Sequence, residues 1–126
     1  MSWEEIELLF SKLLSQIQQK HGIQLSVVLF CDWGGSYPKA RDFAQTDGDC
    51  INLSPKIIGE PRHRVCALLM HELGHVLLMR DGDYTHSERY ADEIAELCFG
   101  VPIYYDKEGV QTLNTGIRPR PNHLPQ

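Results

Sequence analysis

The chain has 126 residues, of which 42% are hydrophobic and 23% charged, and its formal net charge at pH 7 is −5. This length suits one domain with a buried core and is too short for two domains. The acidic balance argues against a general nucleic-acid-binding protein, and no apolar run is long enough to span a membrane. We therefore expect neither nucleic acid nor a membrane as a partner.

The opening residues and the cysteines favour a reducing compartment. The sequence begins Met-Ser-Trp-Glu-Glu-Ile-Glu, with acids where a signal peptide would carry lysine or arginine, so we expect a cytosolic protein. The four cysteines form no C-x-x-C pair and are most simply small core residues; they are Cys31, Cys50, Cys66 and Cys98. A contact between Cys31 and Cys50 on neighbouring strands stays open.

The amino-terminal residues predict an amphipathic helix. Apolar residues recur at steps of three and four from Trp3 to Lys20, and Ser2 with Glu5 resembles a capping box. Such an apolar stripe is usually the face that packs on a core, so we expect this helix to cover the domain rather than to bind a partner.

Strands and turns are predicted next. Residues 24–31 are continuously apolar and rich in β-branched side chains, which favours a central strand. After it we predict, in order, a turn-rich loop at 32–39, a short strand at 41–45, a hairpin turn at 47–49 and a half-buried strand at 50–54. Pro55 ends this last strand.

Two helices are predicted in the second half of the chain. The first begins at position 61 or 62 and ends at Met79, and the second begins near Thr85 or Ser87 and ends at Gly100. Residues 103–105 and 110–113 are predicted to pair as a small hairpin. Residues 114–126 lack a hydrophobic pattern, so we predict one domain over residues 1–113 and a flexible carboxy-terminal tail.

The first of these two helices contains the motif H-E-x-x-H, formed by His71, Glu72 and His75. Residues four apart lie on one face of a helix, so the two imidazoles can be aimed at one point with Glu72 beside them. Two imidazoles supply half of a tetrahedral zinc site, and a carboxylate that does not bind the metal can accept a proton from water. Ordinary core histidines are the alternative, but burying three titratable groups so close together is costly unless a metal compensates them.

The next helix offers a third ligand. Glu88 follows His75 by thirteen residues across a tight turn, so its carboxylate can face the metal if the two helices pack antiparallel. Asp92 lies one turn further on the same face, where it can accept the outward N–H of a ligand histidine. Alternatively, Glu88 can belong to a capping box with Thr85, although this leaves Asp92 without a role.

These residues resemble the gluzincin signature of zinc metallopeptidases, H-E-x-x-H followed by E-x-x-x-D. The segment that contains Glu88, Ala91, Asp92 and Ala95 is similar to that of the ImmA/IrrE family, which usually has asparagine at the position of Asp92. It is also similar to that of HtpX-like peptidases, which are membrane proteins. Residues 51–55 are similar to the strand that precedes the active-site helix in SprT-like zincins, and the whole resemblance covers residues 50–102.

The resemblance implies an α+β, zincin-like minimal domain with an amino-terminal helix, a small mixed sheet and an antiparallel pair of helices. It implies a zinc-dependent endopeptidase with one Zn²⁺ held by three ligands, His71, His75 and Glu88. Glu72 would be the general base, and Asp92 would orient a ligand histidine. An extended peptide substrate would add to the sheet edge at Ile51 to Ser54.

Other interpretations of the motif lead to different ligands. A metzincin would have a third histidine six residues after His75, where this chain has Asp81, so that class is excluded. Peptide deformylase combines H-E-x-x-H with a cysteine ligand, but Cys50 lies too close to the helix and the glycine-rich motif of that family is absent. His86 stays open as a ligand in place of Glu88. The alternative function is a non-catalytic zinc-binding module, whose closed site would need His86 or Cys50 as a fourth ligand.

Two further features stay open. A residue that stabilises the oxyanion is expected near the site, and the candidates are Tyr84, His86, Arg89 and Tyr90. The tail carries Arg118, Arg120 and His123 and can lie in the substrate groove as an inhibitor. A solvated tail is the simpler expectation.

Overall fold

The computed structural model describes residues 1–32, 43–105 and 111–113. In chain order they form α1 (Trp3–His21), β1 (Val28–Phe30), β2 (Ala44–Thr46), β3 (Cys50–Leu53), a 3₁₀ turn (Pro55–Gly59), α2 (Arg62–Arg80), α3 (Glu88–Phe99), β4 (Ile103–Tyr105) and β5 (Gln111–Leu113). The predicted α+β class is confirmed, and β4 and β5 pair antiparallel as the predicted hairpin. Most of the loop predicted at 32–39 and the whole tail predicted at 114–126 lie outside the described residues.

Helix α1 is capped as predicted and packs one face on the core. The side chain of Ser2 accepts a hydrogen bond from the N–H of Glu5, and the Glu5 carboxylate accepts one from the N–H of Ser2. Gly22 ends the helix with a φ angle of 61°, which glycine adopts without strain. The buried face consists of Ile6, Leu9, Phe10, Leu13 and Ile17. Burying each of these side chains contributes about 1.5–3 kcal/mol.

The main sheet has the strand order β1-β3-β2, so the predicted central position of residues 24–31 is wrong. Among the described strands, β1 lies at one edge and pairs in parallel with β3. The residues before Val28 do not extend the strand, since the N–H of Leu25 donates to the side chain of Gln18 (3.0 Å) instead of to a neighbouring strand. Val28 and Phe30 remain 54% and 46% exposed, as an edge position allows.

β3 lies in the middle of this sheet, so the prediction that Ile51 to Ser54 forms a sheet edge is also wrong. One side of β3 pairs in parallel with β1 and the other pairs antiparallel with β2. The main-chain groups that an added peptide would need are therefore already bonded. The predicted alternation is present, because Ile51 and Leu53 are fully buried while Cys50 and Asn52 are only partly buried. Among the described strands, β2 forms the edge that lies against α2.

The predicted hairpin turn joins β2 to β3. Asp47 Oδ1 accepts hydrogen bonds from the N–H groups of Asp49 (2.9 Å) and Cys50 (3.0 Å), which hold the pKa of Asp47 below its usual range. Gly48 has a φ angle of 98°, a conformation that favours glycine. Cys50 and Cys31 are free thiols, as are the other two cysteines.

Helices α2 and α3 begin and end close to the predicted positions. Apolar residues on several faces of α2 are almost fully buried: Val65, Ala67, Leu69, Leu73 and Val76. α3 begins after Ser87, whose side chain accepts a hydrogen bond from the N–H of Tyr90 (3.0 Å), and ends at Gly100. In the part of the chain that the structure describes, no helix is both long and apolar enough to cross a membrane.

Candidate metal centre

Helices α2 and α3 pack antiparallel and touch at a glycine. Their contacts pair His75 with Glu88, Gly74 with Ala91, and His71 with Asp92, so positions increase along one helix as they decrease along the other. A Cβ atom at position 74 would lie 2.3 Å from the carbonyl oxygen of Ala91. Glycine alone permits this approach, which brings the α3 residues near Ala91 within reach of the α2 histidines.

The ring nitrogens of His71 and His75 and the carboxylate oxygens of Glu88 lie close together. The two Nε2 atoms of His71 and His75 are 2.9 Å apart. The Glu88 carboxylate contacts both rings, with Oε2 2.9 Å from Nε2 of His75 and Oε1 3.4 Å from Nε2 of His71. Glu72 lies beside them, with Oε2 3.9 Å from Nε2 of His71. The ligand atoms of His71, Glu72 and His75 all lie within 4.8 Å of one another, so this cluster could hold a metal ion.

Neighbouring residues contact the outer nitrogen of each histidine. Asp92 Oδ1 lies 2.8 Å from Nδ1 of His71 and accepts a hydrogen bond from the N–H group there. Nδ1 of His75 is hydrogen-bonded to Nε2 of His86. Nδ1 of His86 in turn donates to the carbonyl oxygen of Asp83 (3.0 Å). Both rings are therefore held from the side that faces away from Glu88.

Burial and nearby charges shift the pKa values of three groups in the metal-free protein. Burial lowers the pKa of His71, but hydrogen bonds with Asp92 and Glu88 outweigh it and raise the pKa to about 10. The imidazoles of His71 and His75, which both contact the Glu88 carboxylate, hold the pKa of Glu88 well below its usual range. Burial raises the pKa of Glu72. The site thus combines an ionised carboxylate at its rim with a buried carboxyl group that holds a proton more readily.

The site opens into a cavity of about 280 Å³. Its lining comes from the site itself, from strand β2 and from the end of α2 with the following loop: Glu72, His75, Glu88, Ala44, Gln45, Thr46, Met79, Tyr84 and His86. The side chain of Glu88 is 69% exposed, so the site is open to solvent on this side. A second cavity, also of about 280 Å³, shares Met79 and Tyr84 with the first.

The structure brings together the five site residues that the sequence singled out, namely His71, Glu72, His75, Glu88 and Asp92. Their chemical roles stay predictions. The capping-box interpretation of Glu88 is wrong, because Ser87 and not Thr85 caps α3. The structure does not support His86 as a ligand in place of Glu88, since its two ring nitrogens contact His75 and the Asp83 carbonyl.

The four oxyanion candidates occupy different places. Tyr84 lines the cavity, and its side chain is largely exposed. Arg89 forms an ion pair with Glu93 (3.3 Å), one turn further along α3. His86 also lines the cavity but contacts His75 through Nε2. Tyr90 is an exposed residue of α3 and is not among the described residues that line the cavity. Tyr84 is therefore the candidate whose side chain is best placed to meet a bound molecule.

The sequence patterns did not predict the close packing at Gly74 or the position of β2 in the sheet. A glycine inside an apolar helix costs about 1 kcal/mol relative to alanine, so its presence was itself a signal of close helix packing. The position of β2 carried no comparable signal. Strand order depends on contacts between residues distant in sequence, and the alternation of a short strand does not specify its neighbours.

Comparisons with known proteins give one structural likeness. No family model and no curated protein matches the chain. Among solved structures, the chain is similar to the metallopeptidase zymogen of Pyrococcus abyssi abylysin, at 20% sequence identity and a TM-score of 0.47. The likeness covers 69% of this chain and 76% of that one. The specific resemblance to the ImmA/IrrE family and HtpX-like peptidases stays a prediction.

Proposed function

We propose that the protein is a zinc-dependent endopeptidase of the gluzincin type. One observation carries the proposal: two imidazole nitrogens and the carboxylate of Glu88 converge beside the buried Glu72, at the wall of an open cavity. A structural role alone would not require a buried carboxylate next to a group of metal-binding atoms that faces solvent.

The three proposed ligands, His71, His75 and Glu88, suit Zn²⁺. Two ligand atoms on a tetrahedral zinc ion lie roughly 3.3 Å apart when each is 2.0–2.1 Å from the metal. The two Nε2 atoms are 2.9 Å apart, and the two oxygens of the Glu88 carboxylate lie 2.9 Å from Nε2 of His75 (Oε2) and 3.4 Å from Nε2 of His71 (Oε1). Three protein ligands leave one position for water or substrate, as in catalytic zinc sites and unlike structural ones.

Glu72 is the proposed general base. Bound zinc would supply a Lewis acid that polarises the scissile carbonyl and makes a water molecule more acidic. Glu72 accepts a proton from the attacking water as the water oxygen bonds to the carbonyl carbon, and then donates a proton to the amine nitrogen as the C–N bond breaks. Burial raises the pKa of Glu72, so its carboxylate is a stronger base than that of an exposed glutamate.

The proposed substrate is an extended peptide that binds beside β2. This strand lines the same cavity as Glu72 and His75, and no described strand pairs with its outer side. Main-chain hydrogen bonds to an edge strand recognise any extended sequence, while side-chain cavities select among sequences. Tyr84 and Met79 line both of the neighbouring cavities, which are suited to select among peptide side chains.

The second candidate function is a non-catalytic module with a structural zinc ion. It needs a fourth protein ligand, and the two predicted donors were His86 and Cys50. His86 directs its Nε2 to the outer nitrogen of His75, and Cys50 is not among the described residues that line the cavity. The exposed rim at Glu88 also favours an open site over a closed one.

Digestion of a peptide library, analysed by mass spectrometry, tests the proposal. The zinc-loaded wild type is expected to cleave peptides, and Glu72→Gln is expected to lose about 10²–10⁴-fold in rate while retaining zinc, because the amide cannot accept the proton. Glu7→Gln makes the same change at an exposed position of α1 and should cleave like the wild type. Wild-type activity in Glu72→Gln, or zinc-loaded wild type that cleaves nothing, would overturn the proposal.

A further inference from the structure

We propose that His86 is a positioning residue that fixes His75 in the tautomer able to bind a metal. The inference rests on the metal site of the proposed function. His86 lies in the loop between α2 and α3, outside the H-E-x-x-H motif. Two hydrogen bonds connect three groups in a row: the first joins the Asp83 carbonyl to the imidazole of His86, and the second joins that imidazole to the imidazole of His75.

The hydrogen bond between His86 and the Asp83 carbonyl determines the donor and the acceptor in both bonds. The carbonyl oxygen of Asp83 can only accept, so Nδ1 of His86, which lies 3.0 Å away, carries a proton. A neutral imidazole protonated at Nδ1 has its lone pair on Nε2. This Nε2 therefore accepts from Nδ1 of His75. His75 is left with a lone pair on Nε2, the atom that lies beside His71 and Glu88.

The loop that carries His86 is anchored, so the acceptor is held in place. The side chain of His86 is only 3% exposed, which leaves little room for water to replace it. The N–H of Asp83 donates to the carbonyl oxygen of Leu78 (2.9 Å) in the last turns of α2. The Asp83 carboxylate accepts from the N–H of Thr85 (3.0 Å). These bonds fix the carbonyl that orients His86.

Without His86, a competing arrangement of His75 becomes available. Oε2 of Glu88 lies 2.9 Å from Nε2 of His75 and would accept a hydrogen bond from a proton on that nitrogen. A proton on Nε2 occupies the lone pair that a metal needs. The orientation of His71 depends on a different partner, the Asp92 carboxylate on α3, which contacts Nδ1 of His71. Loss of His86 should therefore impair His75 and leave the orientation of His71 intact.

Four variants separate this role from a general packing role. His86→Gln keeps an acceptor that can reach Nδ1 of His75. His86→Asn keeps only an N–H donor near the Asp83 carbonyl, and His86→Leu keeps neither the acceptor nor the donor. His63→Leu is the matched control, because His63 is exposed on α2. Zinc affinity is measured by competition with a chelator, and thermal unfolding of the metal-free proteins reports on packing. Nitrogen-detected NMR of the zinc-loaded wild type reports which ring nitrogen of His75 carries the proton.

We expect the zinc dissociation constant to increase about 10–100-fold in His86→Leu and His86→Asn, and by less than about 3-fold in His86→Gln. His63→Leu should bind zinc like the wild type. In the zinc-loaded wild type, Nδ1 of His75 should be protonated. Wild-type affinity in His86→Leu or His86→Asn, an equal loss in His86→Gln, or an unprotonated Nδ1 would overturn the inference. If the wild type itself binds no zinc, the proposed function fails first, so the two failures are distinguishable.

Discussion

Substitution of Gly74 by alanine should damage the metal site more than it damages the fold. The added Cβ would lie 2.3 Å from the carbonyl oxygen of Ala91 and 3.2 Å from its carbonyl carbon. Ordinary contact begins at 3.4 Å, so α3 must move away from α2 by about 1 Å. That movement would lengthen the 2.8 Å bond between Asp92 and His71 beyond hydrogen-bonding distance.

Two opposing contributions set the change in stability. Overpacking of this kind costs about 1–3 kcal/mol. Alanine regains about 1 kcal/mol relative to glycine inside a helix. The free energy of unfolding of the metal-free protein should therefore fall by no more than about 2 kcal/mol. The zinc dissociation constant should increase about 10–100-fold, because His71 loses its orienting partner and Glu88 moves with α3.

Urea unfolding and zinc competition titrations measure the two effects separately. Gly59→Ala is the matched control, because a Cβ at position 59 meets no atom within 4 Å. It should change neither zinc affinity nor, by more than about 0.5 kcal/mol, the stability. The reasoning is refuted if Gly74→Ala binds zinc like the wild type, since the close approach of α3 would then not be required for the site.

Three other perturbations address separate parts of the site. In the metal-free protein, His71 has a pKa of about 10 against an ordinary histidine value of 6.5, so the stability it contributes is complete below pH 6.5 and is lost as the pH rises toward 10. Urea unfolding at a series of pH values measures this loss, and a flat profile over that range contradicts it. Glu88→Gln should weaken zinc binding in a competition titration, whereas unchanged affinity would remove Glu88 from the ligand set. Tyr84→Ala should raise KM for a cleaved peptide without changing zinc content, because Tyr84 lines both cavities; an unchanged KM would exclude it from substrate binding.

Local patterns in the sequence predicted the helices and the site residues. The capping box of Ser2 and Glu5 and the apolar stripe of α1 depend only on residues close in sequence, and both are present in the structure. The placement of His71 and His75 on one face of α2 also depends only on residues close in sequence, and it too is present in the structure. Glu88 and Asp92 were predicted correctly as neighbours of these histidines, because a short loop leaves two helices few ways to pack other than antiparallel.

The strand order and the role of His86 could not be predicted in this way. Residues 24–31 and 50–54 are both apolar enough for a central strand, and only pairing between distant segments decided that β3 is central and β1 is not. The spacing of residues predicts that His86 lies close to the site, but only as a ligand or an oxyanion-stabilising residue. Its contact with the outer nitrogen of His75 depends on the path of the loop, which the spacing of residues does not specify.

The central claim is that His71, His75 and Glu88 form an open catalytic zinc site, and anomalous X-ray diffraction at the zinc edge tests it most directly. Crystals grown with one equivalent of zinc should show one anomalous peak at bonding distance from Nε2 of both histidines and from the Glu88 carboxylate. The remaining coordination position should face the cavity lined by β2 and hold no protein atom. A peak with a fourth protein ligand, or no zinc at these side chains, would contradict the account.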